Sequence, residues 1–202
     1  LVFPQISGPH SLKYRMDAEL ALLFADTMNL IAPSEEFKFD NSDYLCYYRY
    51  RAIQYLVSAE NREKYKGRGS RDTDKLAEQL AKIMQTLLVK RLESSFSAFT
   101  QSLLNLRNYT ENMIRMWENN SIFVCPQFDV NAELDEKAKS EKRGHKVTFE
   151  ECANDIRERI KKLNEKGLNE KGQNAEYTRD DFESVYIDLL KADYQLISDL
   201  YD

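Results

Sequence analysis

The side chains able to do chemistry in this chain fall into a few small groups. Glu35-Glu36 and Glu150-Glu151 are adjacent carboxylates, the residue type that general acid–base catalysis uses. Neighbours on a helix point in different directions, however, and Thr148-Phe149-Glu150-Glu151 has the spacing of a helix capping box. Cys46, Cys125 and Cys152 are far apart in sequence, and no pair has metal-ligand or redox spacing. They read as free, mostly buried thiols in a reducing cytoplasm. His10 and His145 have no Cys or His neighbours, so no metal site is predicted. No Ser/His/Asp or Cys/His set is supported, which argues against a free-standing enzyme.

Two further groups are better suited to binding. Tyr44, Tyr47, Tyr48, Tyr50 and Tyr55 enclose Arg49 and Arg51, and a basic, glycine-bearing connector follows, Lys64-Tyr65-Lys66-Gly67-Arg68-Gly69-Ser70-Arg71. From Arg49 to Arg91 there are eleven Lys and Arg against five Asp and Glu, in a chain of net charge -5. Arg49, Arg51, Lys64, Lys66, Arg68 and Arg71 are therefore candidates for nucleic-acid contact, by phosphate pairing beside stacking rings. The competing reading packs the tyrosines in the core and leaves the charges as a solvated face, as the acidic total favours. The other group is Lys90-Arg91-Leu92-Glu93-Ser94-Ser95, polar in the middle of a leucine-rich run. Its counterpart is Asp193, which lies on the apolar stripe of the last helix and needs a partner if buried. Arg91 and Arg107 are the candidates for that pairing.

The elements that must position these groups are helical. Only 6 Gly and 4 Pro in 202 residues leave too few turn residues for an all-β fold. Leu76, Leu80, Met84, Leu88, Leu92, Phe96, Phe99, Leu103, Leu106, Met113 and Trp117 recur at three and four, the spacing of one helical face. If Thr73 to Asn119 is one helix, it is about 70 Å long. A helix through Leu20, Leu23, Phe24, Met28 and Ile31 is expected before Pro33, and another over about Asp43–Ser58 with Ser42 as its cap. Thr148 should cap a helix to about Asn164, and Thr178 the final one. Leu12 to Met16 alternates as a short strand does. The predicted fold is all-α, an elongated bundle of five or six helices around one very long helix, with a strand-like N-terminal tail. Charged flexible segments are expected near 60–72, 129–147 and 164–177. Mean hydropathy of -0.64 and the lack of any apolar run near the ~20 residues of a membrane span predict a soluble protein away from membranes. The opening Leu1-Val2-Phe3-Pro4 reads as the start of a piece of a longer protein.

The block Leu87-Leu88-Val89-Lys90-Arg91-Leu92-Glu93-Ser94-Ser95-Phe96-Ser97-Ala98-Phe99-Thr100-Gln101-Ser102-Leu103 resembles bacterial Swi/Snf-like helicases of superfamily two. Tyr47-Tyr48-Arg49-Tyr50-Arg51-Ala52 and the Leu190-Lys191-Ala192-Asp193-Tyr194-Gln195-Leu196 cadence support the match, and Phe3-Pro4 with Leu12-Lys13-Tyr14 is similar to the exit from a RecA-like motor domain. The resemblance implies a helical region, 17–202, lying between two RecA-like domains, with 1–16 as the extended exit from the first. It implies a parent that is an ATP-dependent DNA helicase or translocase, with ATP and magnesium held by the flanking motor domains. No phosphate-binding loop or acidic metal-binding box is present, so no catalytic residue and no cofactor is assigned to this chain. The alternative is a helical protein-interaction scaffold that meets no nucleic acid.

Overall fold

A computed structural model describes residue 8 and residues 15–33, 43–65, 73–134 and 148–202. Of the strand expected over Leu12–Met16, residues 12–14 lie outside the described residues, as do the Ser42 cap, the connector residues 66–72 and the charged segment 135–147, and Arg15 and Met16 are not in a strand. The chain is mostly helical, and among the described residues no helix is long and apolar enough to cross a membrane.

The predicted single long helix is two helices. α3 (Thr73–Ser94) ends one residue before α4 (Phe96–Glu118) begins. Ser95 between them is extended, with φ -168° and ψ 121°, and its hydroxyl accepts from the Ala98 amide at 3.3 Å. A serine with that geometry is an N-cap, so it starts a new helix rather than continuing the old one. The helices then fold back on each other. Met84, Leu87, Leu88 and Arg91 of α3 share a groove with Ser102, Asn105, Leu106 and Tyr109 of α4. In a straight helix Met84 and Tyr109 would be about 37 Å apart.

The remaining elements wrap this hairpin. α1 (Ala18–Ile31) is capped by Asp17, which accepts from the Leu20 amide at 2.8 Å. Residues Tyr48–Tyr55 form a 3-10 helix, not the predicted α-helix over 43–58. α2 (Ala59–Glu63) is one short turn capped by Ser58. α4 ends where Asn120 adopts a left-handed φ of 52° and the Ser121 amide reaches back to the Met116 carbonyl at 3.0 Å, an arrangement asparagine tolerates. β1 (Ile122–Val124) pairs antiparallel with β2 (Ala175–Tyr177), with Ile122 opposite Tyr177. α5 (Phe149–Glu165) carries the full Thr148/Glu151 capping box that its sequence predicts. Thr178 caps a single 3-10 turn, Arg179–Asp181, and α6 (Tyr186–Tyr201) begins later, after Phe182 has bridged to Leu56.

The segment 164–177, expected to be flexible, is built instead by two Asn-Glu-Lys-Gly turns. Gly167 and Gly172 take φ of 66° and 61°, where a side chain is strained. The second turn presents Asn169, whose Oδ1 accepts from both the amide and the side chain of buried Asn174, each at 3.0 Å.

Packing follows two cores strung along α4. Near its start lies an aliphatic one containing Ile31, Leu88, Leu92, Phe99, Leu103 and Ile197. Near its end lies an aromatic one containing Tyr48, Tyr177, Phe182 and Tyr186, with Trp117 packed against it. On α3 the buried line is Ala77, Ala81, Leu88 and Leu92. Leu80 and Phe96, expected on the inner face, are exposed, as is Leu23 of α1. Alanines sit innermost because the 3-10 segment packs closely on this part of α3.

Candidate functional site

The most constrained polar feature is a junction inside the protein. Residues 45–47 lead into the 3-10 segment and turn at Tyr47, whose left-handed φ of 58° costs a non-glycine residue about 1 kcal/mol. The turn aims neighbouring amides the same way. The Cys46 amide donates to Oδ1 of Asp193 at 2.9 Å, and the Tyr48 amide donates to Oδ2 at 2.7 Å. Successive amides converging on one carboxylate form a small anion nest. On the other side of the turn the Leu45 amide donates to the Leu30 carbonyl at 2.8 Å, and the Tyr47 hydroxyl donates to that of Ile31 at 2.8 Å. Those are carbonyls that the end of α1 leaves without helical partners. The four residues Leu45 to Tyr48 thus join α1, the 3-10 segment and α6.

Asp193 is buried at 3 % exposure. Burial pushes its carboxyl up to about 7, while the Cys46 and Tyr48 amides and the Arg51 charge pull the other way. The reasoning that a buried Asp193 requires a partner holds, but Arg91 and Arg107 are not that partner. Arg107 pairs with Asp202 at 3.7 Å and lies over the Tyr201 ring, 4.3 Å from its centroid. Arg91 is exposed at the end of α3. Backbone amides were not foreseen because no side-chain pattern marks them. The one available sign was the dense Tyr47-Tyr48-Arg49-Tyr50-Arg51 run, which suits a turn held on several sides.

The candidate nucleic-acid residues divide. Arg51 is buried, its guanidinium over the Tyr48 ring at 5.1 Å and its Nε donating to Gln54 at 2.7 Å. It faces inward and is not placed to meet a phosphate, which corrects the expectation. Arg49 lies between the Tyr50 and Tyr109 rings, at 5.2 and 5.1 Å, with its Nε donating to the Tyr109 carbonyl at 2.9 Å. Lys64 is half-buried and donates to Asn61 at 2.8 Å. Lys66, Arg68 and Arg71 lie outside the described residues. In the polar block, Lys90, Arg91, Glu93, Ser94 and Ser95 are all exposed around the bend of the hairpin.

No family model matches the chain, and neither does any curated protein or solved structure. What the chain can do therefore has to be argued from its own residues.

Those residues offer little catalytic chemistry. Among the described residues no group of three or more His, Cys, Asp and Glu is placed to hold a metal ion. A cavity of about 310 Å³ lies between the 3-10 segment, the end of α4 and residues 123–131, lined mainly by Ile53, Met113, Met116, Phe123 and Phe128. Cys125 also lines it, but burial pushes that thiol up to about 12, well away from a reactive thiolate. Asn131 donates twice to Asp129, through its amide at 2.9 Å and its side chain at 3.2 Å. The strongest ion-pair network is structural. Arg157 grips Glu176 with two hydrogen bonds, at 2.8 and 2.7 Å, and Glu150 with a third at 2.6 Å, tying α5 to β2.

Proposed function

We propose that this chain is a helical linker or insertion domain of a Swi/Snf-like superfamily-two helicase, coupling two RecA-like lobes that bind and hydrolyse ATP with magnesium. The observation that carries the reading is the placement of the block from Leu87 to Leu103. Its apolar residues Leu88, Leu92, Phe99 and Leu103 are buried, and its Lys90, Arg91, Glu93 and Phe96 stand outward around a helical bend. A residue run that both builds a bend and presents its polar members outward suits an element read by neighbouring domains. The chain has no nucleotide-binding motif of its own, so its role is mechanical: it positions lobes and follows their closure. Duplex contact, on this reading, comes from Lys64, Lys66, Arg68 and Arg71, because Arg51 is buried and half-buried Arg49 is held by Tyr109.

The engagement of those two arginines also favours the second reading, a protein-interaction scaffold without nucleic-acid binding. Duplex binding measured across a salt series separates the two. The helicase reading expects affinity that falls with rising salt and falls further when Lys64, Lys66, Arg68 and Arg71 are all changed to Gln. A chain that binds no duplex at low salt supports the scaffold. ATP turnover by the chain alone would overturn both.

A further inference from the structure

Two helices turn uncovered faces outward, and their chemistries are opposite. α1 directs Phe24, Met28 and Ile31 to the aliphatic core. On its far side Glu19, Leu22, Leu23 and Asp26 stand in solvent, the two leucines 64 % and 62 % exposed. Residues 19, 22, 23 and 26 form one stripe of a helix. Between Ala18 and Ile31 there is no Lys or Arg. α3 presents the complement. Lys82, Ile83, Thr86, Leu87 and Lys90 line an open groove of about 520 Å³, with Ile83 54 % and Leu87 46 % exposed and no carboxylate among the lining residues.

The spacing of the two faces matches as well as their charge. The α1 acids are seven residues apart and the α3 lysines eight, about 10 and 12 Å along a helix axis. In both, the exposed apolar pair lies between the two charges. Seating Leu22 and Leu23 against Ile83 and Leu87 brings a carboxylate to an ammonium at each end. Each face is exposed with the other present, so they do not cover one another within one chain. Pairing of like faces would set lysine on lysine or acid on acid, which disfavours it.

We propose that the chain self-associates through these faces, the outer stripe of α1 from one copy lying in the α3 groove of another. A single helix-on-helix contact of this length falls below the roughly 1,200 Å² of a specific interface. A two-fold arrangement forms the contact twice, once in each direction. The assembly is therefore a reciprocal dimer, and it forms whether or not the chain belongs to a helicase.

Sedimentation of the whole chain over a micromolar to submillimolar range tests this, together with two surface variants checked for native helicity. The native chain should dimerise, and more weakly at high salt. Lys82→Glu with Lys90→Glu makes groove and stripe both acidic, and Glu19→Lys with Asp26→Lys makes both basic. Each variant alone should dimerise at least about tenfold more weakly, a change of about 1.4 kcal/mol. Mixing the two should restore a mixed dimer, because both contacts then join opposite charges. A native chain that stays monomeric, a dimer indifferent to both reversals, or a mixture that fails to associate would each overturn the proposal.

Discussion

The two cores along α4 bury apolar surface in different ways. The one at its C-terminal half is a set of interlocked rings. Phe182 stacks on Tyr186 with centroids 5.5 Å apart, Tyr55 and Trp117 approach Tyr186 at 5.0 and 5.9 Å, and Tyr177 meets Phe182 edge-on. Around it the strands, the Asn169–Asn174 turn and the Arg157–Glu176 pair fix the surrounding backbone. The core at the N-terminal half is built mainly of leucines and isoleucines, with Ala81, Tyr47 and Phe99 among them, and its outer helices leave leucines in solvent. One end of α4 is closed by geometry that suits a single arrangement. The other is closed by more shape-tolerant side chains, and its helices α1 and α3 turn Leu22, Leu23, Ile83 and Leu87 outward.

Asp193 sits at the seam. Leu45 and Tyr47 pack in the aliphatic core and Cys46 and Tyr48 in the aromatic one, so successive residues alternate between the two. On α6, Leu190 belongs to the aromatic side and Ile197 to the aliphatic side of the carboxylate.

The contrast can be broken first at its strongest point. Tyr186→Ala should cost about 3–5 kcal/mol in urea unfolding, and Leu88→Ala about 2–5 kcal/mol, with Tyr186 the larger. If the leucine costs more, the aromatic end is not the firmer anchor. At the seam, Asp193→Ala leaves two buried amides without an acceptor and should cost about 3 kcal/mol by the same measurement. Its pH dependence has a definite sign. With the folded pKa raised to about 7 from an ordinary value near 4, the folded chain holds a proton that the unfolded chain has released. Stability from this carboxyl is present below about pH 4 and lost as pH rises through about 7. The stability difference between the native chain and Asp193→Asn should therefore shift against the native chain over that range.

Ser95→Ala tests the bend beside the aliphatic end, and should lower stability by about 1 kcal/mol through loss of the α4 cap, read as a lower melting temperature. The smallest effect belongs to Glu176→Gln, about 0.5–1 kcal/mol, since the pair is a third exposed. Here the pH sign reverses. Arg157 holds the Glu176 carboxyl below its usual range, so its stability is present at neutral pH and lost as pH falls through about 4 and below. Unfolding curves at pH 3, 5 and 7 should show the two carboxyls acting in opposite directions.

Much of the helical class was legible because 3.6-residue periodicity and capping residues are local signals. α5 with its Thr148 box is where both agree. The break at Ser95 is hard to read although a serine pair, Ser94-Ser95, marks it, because the apolar stripe continues in phase on both sides of it. The buried line of α3 was misplaced for a related reason. Large residues suggest the inner face, whereas close packing of the 3-10 segment puts Ala77 and Ala81 there. The partner of Asp193 was beyond reach, since a backbone amide has no letter in the sequence. Of the candidate binding residues, the sequence showed charge but not direction: Arg51 is held by the nearby Tyr48 and Gln54, and Arg49 by Tyr109, which is brought from α4.

The seam also has a consequence in time. The two hydrogen bonds that settle the Tyr47 turn span 147 and 145 residues, nearly three-quarters of the chain. At about 5–20 residues added per second, a ribosome that has finished Tyr48 needs on the order of ten seconds before it reaches Asp193. Throughout that interval the left-handed turn lacks the carboxylate that holds its amides, and α1 has no finished floor to rest on. Within this chain, the segment around the Tyr47 turn is synthesised well before the helix that completes it. The exposed leucines of α1 are present in the nascent chain long before the element that locks their helix in place.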